Sequence, residues 1–211
     1  YTCPASNSGD LYYIRFAFDS NGTMWVAGKD RQKNATFGEF DPVKGEQTPV
    51  ACDFADDGVN SMFVDANDNV WIGTDYKGFY KYDGSTFVNY NKDSEANIDI
   101  NIKTNATVGL CQATNGDIYY AFNKSLVCFS GDYMVVAGTV TNEDHPHDAI
   151  TCLFPYGEYI FIGTSETGVH CYNTTTGEIT QLADGTPVVS AISNVNTDKA
   201  KTSNAIYDLS G

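Results

Sequence analysis

The densest chemistry in the sequence lies in one seven-residue stretch, Asn142-Glu143-Asp144-His145-Pro146-His147-Asp148. It holds two of the chain's three histidines, flanked by carboxylates. Imidazole nitrogen and carboxylate oxygen together suit a borderline divalent cation, and Pro146 stiffens the spacing between the two rings. His145, His147, Asp144 and Asp148 are therefore the candidate metal ligands. The plainer reading of the same residues is an exposed polar connection, because no cysteine partner or ligand-bearing helix accompanies them. Asp65-Ala66-Asn67-Asp68-Asn69 begins like a calcium loop, but such a loop needs Gly at its sixth position and Glu at its twelfth, where Val70 and Tyr76 stand. That segment, like Asp19-Ser20-Asn21-Gly22, reads as a hairpin turn.

Ligand contact has a second set of candidates: Arg31, Asp75, Tyr76, Lys77 and Glu166, all in short loops between apolar runs. Tyr76, Phe54 beside Asp56 and Asp57, and Tyr156 could stack on a sugar ring or a peptide, since aromatic anchors dominate recognition surfaces. Catalysis has no comparable signature: G-x-S-x-G, H-E-x-x-H and the phosphate-binding loop are all missing. No cofactor is implied. Six cysteines without a C-x-x-C pair support neither a zinc site nor a disulfide scaffold. The sequons at Asn21, Asn34, Asn105, Asn123 and Asn173 matter only in a eukaryotic secretory setting.

A net charge of −15, from 27 acidic against 12 basic residues, repels phosphate backbones and anionic lipid. Nucleic acid is excluded as a partner, and a glycan or a protein is left as the ligand class. No apolar run reaches about 18 residues, so an integral membrane helix is not expected. The chain opens on Tyr1 without a basic-then-apolar leader, as a trimmed product would. Nothing in the sequence sets an oligomeric state.

These loops need a scaffold, and the sequence supplies it as a repeat. Aromatic residues at 13% with 19 glycines favour pleated surfaces and tight turns. The clearest unit, residues 59–90, splits into strands at Val59 to Val64, Val70 to Thr74, Gly78 to Tyr82 and Thr86 to Tyr90, separated by turn chemistry. Related units occupy 11–50, 107–137 and 149–182. Their equivalent aromatics, Trp25, Trp71, Tyr119 and Phe161, follow one another at steps of 46, 48 and 42 residues. A four-stranded blade takes about 40–50 residues, so the period fits. The four rings are expected to be buried between blades, and Gly73 and Gly163 to relieve close backbone approach. Asp19 and Asp65 are expected to open turns by accepting backbone hydrogen bonds.

The unit built on Val59, Met62, Asp65, Trp71-Ile72-Gly73-Thr74, Gly78-Phe79 and Tyr82-Asp83 resembles the two-component-regulator propeller repeat. That pattern has an aspartate, a glycine, a W-[IV]-G-T strand and a G-[LF] strand. Residues 59–90 depart at the turn glycine, where Asp68 stands, and 107–137 lack the aspartate and the G-T pair. The resemblance spans roughly residues 11–182 by repeat counting. It implies an extracytoplasmic propeller of the kind found in bacterial sensors and secreted surface proteins. Beyond Leu182 the period is lost, and the ending IYDLSG is similar to the opening strand of the C-terminal sorting domain of bacterial type IX secretion. A rival reading makes VVSAISN and AIYDLSG two strands of a fifth blade.

The expected architecture is thus all-β: a β-propeller of about four four-stranded meander blades over 1–186, with a linker and tail or partial fifth blade over 187–211. The blades would form a four- or five-bladed ring or part of a larger propeller. The expected function is a secreted or cell-surface, non-catalytic binding module for glycan or protein, with loops 29–36, 75–77, 142–148 and 165–167 presenting the contacts. The alternatives are a ligand-sensing extracytoplasmic domain of a two-component regulator and a glycan-cleaving enzyme.

Overall fold

The computed structural model describes residues 12–29, 35–54, 56–99 and 101–182. Arg31, loop residues 30–34 and the stretch from 183 onward lie outside the described residues. The chain divides at Gln181/Leu182, so the sheets described below all belong to its first unit.

Period-two runs closed by Gly, Asp and Asn turns give sixteen strands among the described residues. The first sheet holds β1 (Tyr12–Phe18), β2 (Met24–Lys29), β3 (Ala35–Asp41) and β4 (Glu46–Pro49). The second holds β5 (Val59–Val64), β6 (Val70–Thr74), β7 (Phe79–Tyr82) and β8 (Phe87–Tyr90). The third holds β9 (Gly109–Gln112), β10 (Ile118–Phe122), β11 (Ser125–Phe129) and β12 (Met134–Thr139). The fourth holds β13 (Ile150–Tyr156), β14 (Tyr159–Thr164), β15 (Val169–Asn173) and β16 (Ile179–Gln181). Each sheet is an antiparallel meander in chain order, so the four expected units are four propeller-like blades.

The hairpins opening the first two blades show why Asp and Trp sit six residues apart. Asp65 Oδ1 accepts the Asn67 and Asn69 N–H groups at 2.8 and 2.9 Å, while Oδ2 accepts the Trp71 indole N–H at 2.7 Å. Asp19 makes the same turn bonds and reaches Trp25 at 3.3 Å. Burial raises the Asp65 pKa, but these donors outweigh it and hold the carboxyl below its ordinary value. In the third blade Ala113 replaces the aspartate and Tyr119 the tryptophan, so acceptor and indole donor disappear together. At the turn-glycine place Asp68 adopts a left-handed φ of 62°, which Asp tolerates better than most residues. Its carboxylate accepts the Ser20 N–H at 2.8 Å and hydroxyl at 2.6 Å, tying the first blade's turn to the second's.

The innermost strands pack in chain order, β1 on β5, β5 on β9 and β9 on β13. At each junction the second-strand aromatic of one blade meets the third-strand aromatic of the next. Trp25 meets Tyr82 at 5.6 Å, Trp71 meets Phe129 at 5.9 Å and Tyr119 meets Tyr172 at 5.7 Å between ring centroids. Gly73 permits this approach: a Cβ there would stand 2.3 Å from Ser61 Oγ and 2.7 Å from Thr107 Cγ2.

Two expectations need correction. Trp25, Trp71 and Tyr119 are buried, but Phe161 is only half-buried, because no fifth sheet follows the fourth among the described residues. Of the arrangements expected for the blades, a closed ring is not seen among the described residues: β13 makes no packing onto β1 comparable to the three junctions. Phe54 is no surface anchor; it is fully buried, with its ring 5.0 Å from Tyr80 and 5.8 Å from Phe87. The connection 91–106 runs beside the third blade. Asn97 bridges Met134, Asp99 accepts the Val136 N–H at 3.0 Å, and Ile102 is buried, so the segment lies along the β12 edge.

Candidate ligand face

Loops joining second to third strands share one end of the blades with the connections between blades. In the second blade, Asp57 just ahead of β5 is buried and faces the loop 75–77. Its Oδ2 accepts the N–H groups of Tyr76 and Lys77, each at 2.9 Å, and its Oδ1 accepts that of Gly58 at 2.8 Å. The Thr74 hydroxyl donates to the Gly78 carbonyl at 2.8 Å and accepts from the Lys77 N–H at 3.1 Å. Gly78 takes φ +85°, and a Cβ on it would stand 2.1 Å from the Tyr90 carbonyl oxygen, so glycine is required there.

The fourth blade repeats the device. Asp148, also buried, accepts the Glu166 N–H at 2.8 Å, the Ala149 N–H at 2.9 Å, the Ser165 hydroxyl at 3.1 Å and the Thr167 hydroxyl. Burial raises its pKa, but these hydrogen bonds, Thr167 foremost, outweigh that and hold the carboxyl well below its ordinary 3.8. Thr164 repeats Thr74, bonding the Gly168 carbonyl at 3.0 Å. Tyr76 and Glu166 therefore hold one structural position, the apex of a clamped loop.

The apex side chains project outward. Tyr76 is 79% exposed. Lys77 bends back to Asp56 and the Asp53 carbonyl; its hydrogen bond with Asp56 raises its pKa, burial opposing. Asp75 accepts the Asn60 side-chain amide at 2.6 Å. Glu166 reaches His145, whose Nδ1 lies 3.2 Å from the carboxylate.

The metal candidates part company here. His145 turns to Glu166, Asp148 is consumed by its own loop, and His147 and Asp144 are exposed. Among the described residues no group of three or more His, Cys, Asp or Glu side chains is placed to hold a metal ion. His170, the remaining histidine, is buried with Nε2 2.8 Å from the Thr167 hydroxyl. Burial lowers its pKa against the opposing charge of Asp148, which favours the neutral ring. The braced loops thus bear Asp75, Tyr76 and Lys77 in the second blade and Glu166 in the fourth, with His145 beside Glu166. Sequence reasoning found the apex residues and missed the clamp at Asp57. The signal was present, since Asp57 and Asp148 each stand two residues before a first strand whose blade carries Gly-Thr.

A recess of about 250 Å³ lies between the second and third blades, lined among others by Asp65, Trp71, Lys81, Tyr90, Gln112 and Asp117. Its two carboxylates are engaged locally, Asp65 by Trp71 and Asn69, and Asp117 by Asn115 at 2.8 Å. No helix among the described residues is long and apolar enough to cross a membrane.

Residues 53–76, from just before the Asp57 clamp to Tyr76, match the family described as two component regulator propeller. No curated protein matches the chain. Among solved structures, PorZ, an essential surface component of the type-IX secretion system of Porphyromonas gingivalis, is similar with a TM-score of 0.62 at 15% identity. The match covers 87% of this chain and 29% of that one. The extracellular domain of a protein described as a hybrid two component system from B. thetaiotaomicron is similar with a TM-score of 0.59 at 14% identity, covering 82% and 28%. At these identities the likeness is one of fold, and the chain spans less than a third of either structure.

Proposed function

We propose that the chain is a non-catalytic, extracytoplasmic recognition unit of the ligand-sensing kind found in two-component regulators. The observation that carries this reading is Tyr76: an aromatic ring 79% exposed on a backbone that Asp57 fixes from beneath, inside the segment that matches the regulator family. A rigid exposed ring pays little ordering entropy on binding and offers a stacking surface. Asp53, Asp56 and Asp75 near it disfavour anionic ligands, so a neutral glycan is the first choice of ligand. The repeat resemblance over residues 11–182 supports the same reading. The IYDLSG ending keeps a second reading in play, a secreted surface module with a sorting tail at the C-terminus.

The test is a panel of neutral oligosaccharides read by thermal shift and calorimetry. At least one should raise the melting temperature, as a ligand bound only by the native state must. Tyr76→Ala should weaken its binding at least tenfold while leaving the unliganded melting temperature unchanged. A panel without any shift, or a shift indifferent to Tyr76→Ala, would overturn the proposal.

A further inference from the structure

The recess between the second and third blades lies at the end of the sheets opposite Tyr76. Its rim is made by the β5–β6, β9–β10 and β11–β12 turns, whereas Tyr76 sits in the β6–β7 loop. Both walls belong to blades already packed on each other, with Trp71 and Tyr90 at 5.9 and 4.5 Å from Phe129 between ring centroids. One residue in it has no counterpart in the other blades. Lys81 pairs across the strands with Trp71, a place held by Glu39 beside Trp25, Cys128 beside Tyr119 and Cys171 beside Phe161. Its Nζ stands 5.7 Å from the centre of the Trp71 ring. Among the described residues neither a hydrogen bond nor a carboxylate at ion-pair distance engages it.

Most other polar groups of the wall are committed to one another. The Asp65 oxygens accept from the Trp71 and Asn69 side chains. Gln112 accepts the Ala66 N–H at 2.9 Å and donates to the Gly116 carbonyl at 3.0 Å. Asp117 gives Oδ2 to Asn115 at 2.8 Å, which leaves Oδ1 as an acceptor. The recess thus offers a strong donor, Lys81, and a strong acceptor, Asp117, beside the rings of Tyr90 and Phe129. A small anion would meet the charges of Asp65 and Asp117, and a small cation that of Lys81. A neutral ligand with adjacent hydroxyls avoids both penalties: it accepts from Lys81 and donates to Asp117, and both bonds are charge-assisted. The space falls below the roughly 300–1,000 Å³ that takes drug-sized ligands, so a single ring is the size it suits. We propose that this recess binds one neutral sugar ring, with Lys81 and Asp117 as its hydrogen-bonding pair. The site shares the ligand chemistry proposed for the Tyr76 face and does not rest on it.

Proton–nitrogen correlation NMR of the chain tests this through its two tryptophans. The Trp71 indole N–H, bonded to Asp65 in the recess wall, is the reporter, and that of Trp25 is the control. Methyl glycosides of neutral hexoses should shift the Trp71 signal with a Kd of about 1 mM, the scale for so small a ligand, and leave the Trp25 signal in place. Lys81→Met keeps the stem over Trp71 and should weaken binding about tenfold, the scale of one hydrogen bond to a charged group. Asp117→Asn should weaken it similarly, and Tyr76→Ala should leave it unchanged. A Trp71 signal that no hexoside moves would overturn the proposal, as would an affinity indifferent to both Lys81→Met and Asp117→Asn. Acetate or methylammonium binding here as tightly as the sugars would overturn it too. A Trp71 shift lost in Tyr76→Ala would overturn it and leave the Tyr76 face standing. A Trp71 shift that persists while oligosaccharide binding ignores Tyr76→Ala would support the recess and remove the Tyr76 face.

Discussion

In the second blade Trp71 is buried against Phe129 of the following sheet, whereas in the fourth Phe161 holds the same place half-exposed. Yet the loops that crown these two blades are built alike, each braced by a buried aspartate and closed by a Thr-to-Gly bond. Loop geometry is therefore settled within a blade, by residues close in the sheet, while the core behind it is completed by the neighbour. The geometry of the clamped loops survives wherever the blade ends up. A blade's stability does not.

The sharpest way to break that comparison is to delete the two aromatics. Trp71→Ala should cost about 4 kcal/mol, the scale for emptying a buried large ring, and should leave the Asp65 carboxylate without its indole donor. Phe161→Ala should cost about 1 kcal/mol, since much of the ring is already in water. Urea denaturation of both variants checks the difference, and equal losses would mean that the fourth blade's face is covered in solution.

Glycine substitution gives a smaller contrast. Gly73→Ala places a methyl against Ser61 and Thr107 in the interior and should destabilise by about 2–3 kcal/mol. Gly163→Ala meets only Cys152 Sγ at 2.5 Å, an exposed side chain able to rotate away, and should cost less than about 1 kcal/mol. Melting temperatures of the pair decide it.

The smallest effect is a pH dependence whose upper step is confined to the fourth blade, the acid step being shared with Asp65. His170 and Asp148 both have folded pKa values below their ordinary ones, so each contributes stability that is present above its unfolded pKa and lost as pH falls through the folded value. Melting temperature should first decline below pH 6.5, the ordinary value for His170, and again below 3.8, that for Asp148. His170→Gln should remove the first decline and leave the second. Asp57, the matching clamp, has Tyr80 rather than a histidine beneath its blade's equivalent position, so the second blade adds nothing to the first decline.

Much of the fold was legible because blade strands alternate at period two and turns announce themselves through Asp, Asn and Gly. Every strand expected in residues 59–90 is found within one residue of its place. Legibility failed where burial depends on a neighbour. Phe54 follows Asp53 and precedes an acidic run, which reads as surface, yet it fills the core beside Tyr80. His145 and Asp148 are three residues apart in a polar loop, yet one turns outward to Glu166 and the other is buried under it.

By itself the sequence determined the repeat: its period, its four meanders and the turns between their strands follow from local alternation and turn chemistry. Only the tertiary structure decided which aspartates serve the loops from beneath, and that Phe161 stays half-exposed where Trp71 is buried. Those outcomes depend on which surfaces meet across dozens of residues, and a local pattern carries no record of whether the blade beside it is present.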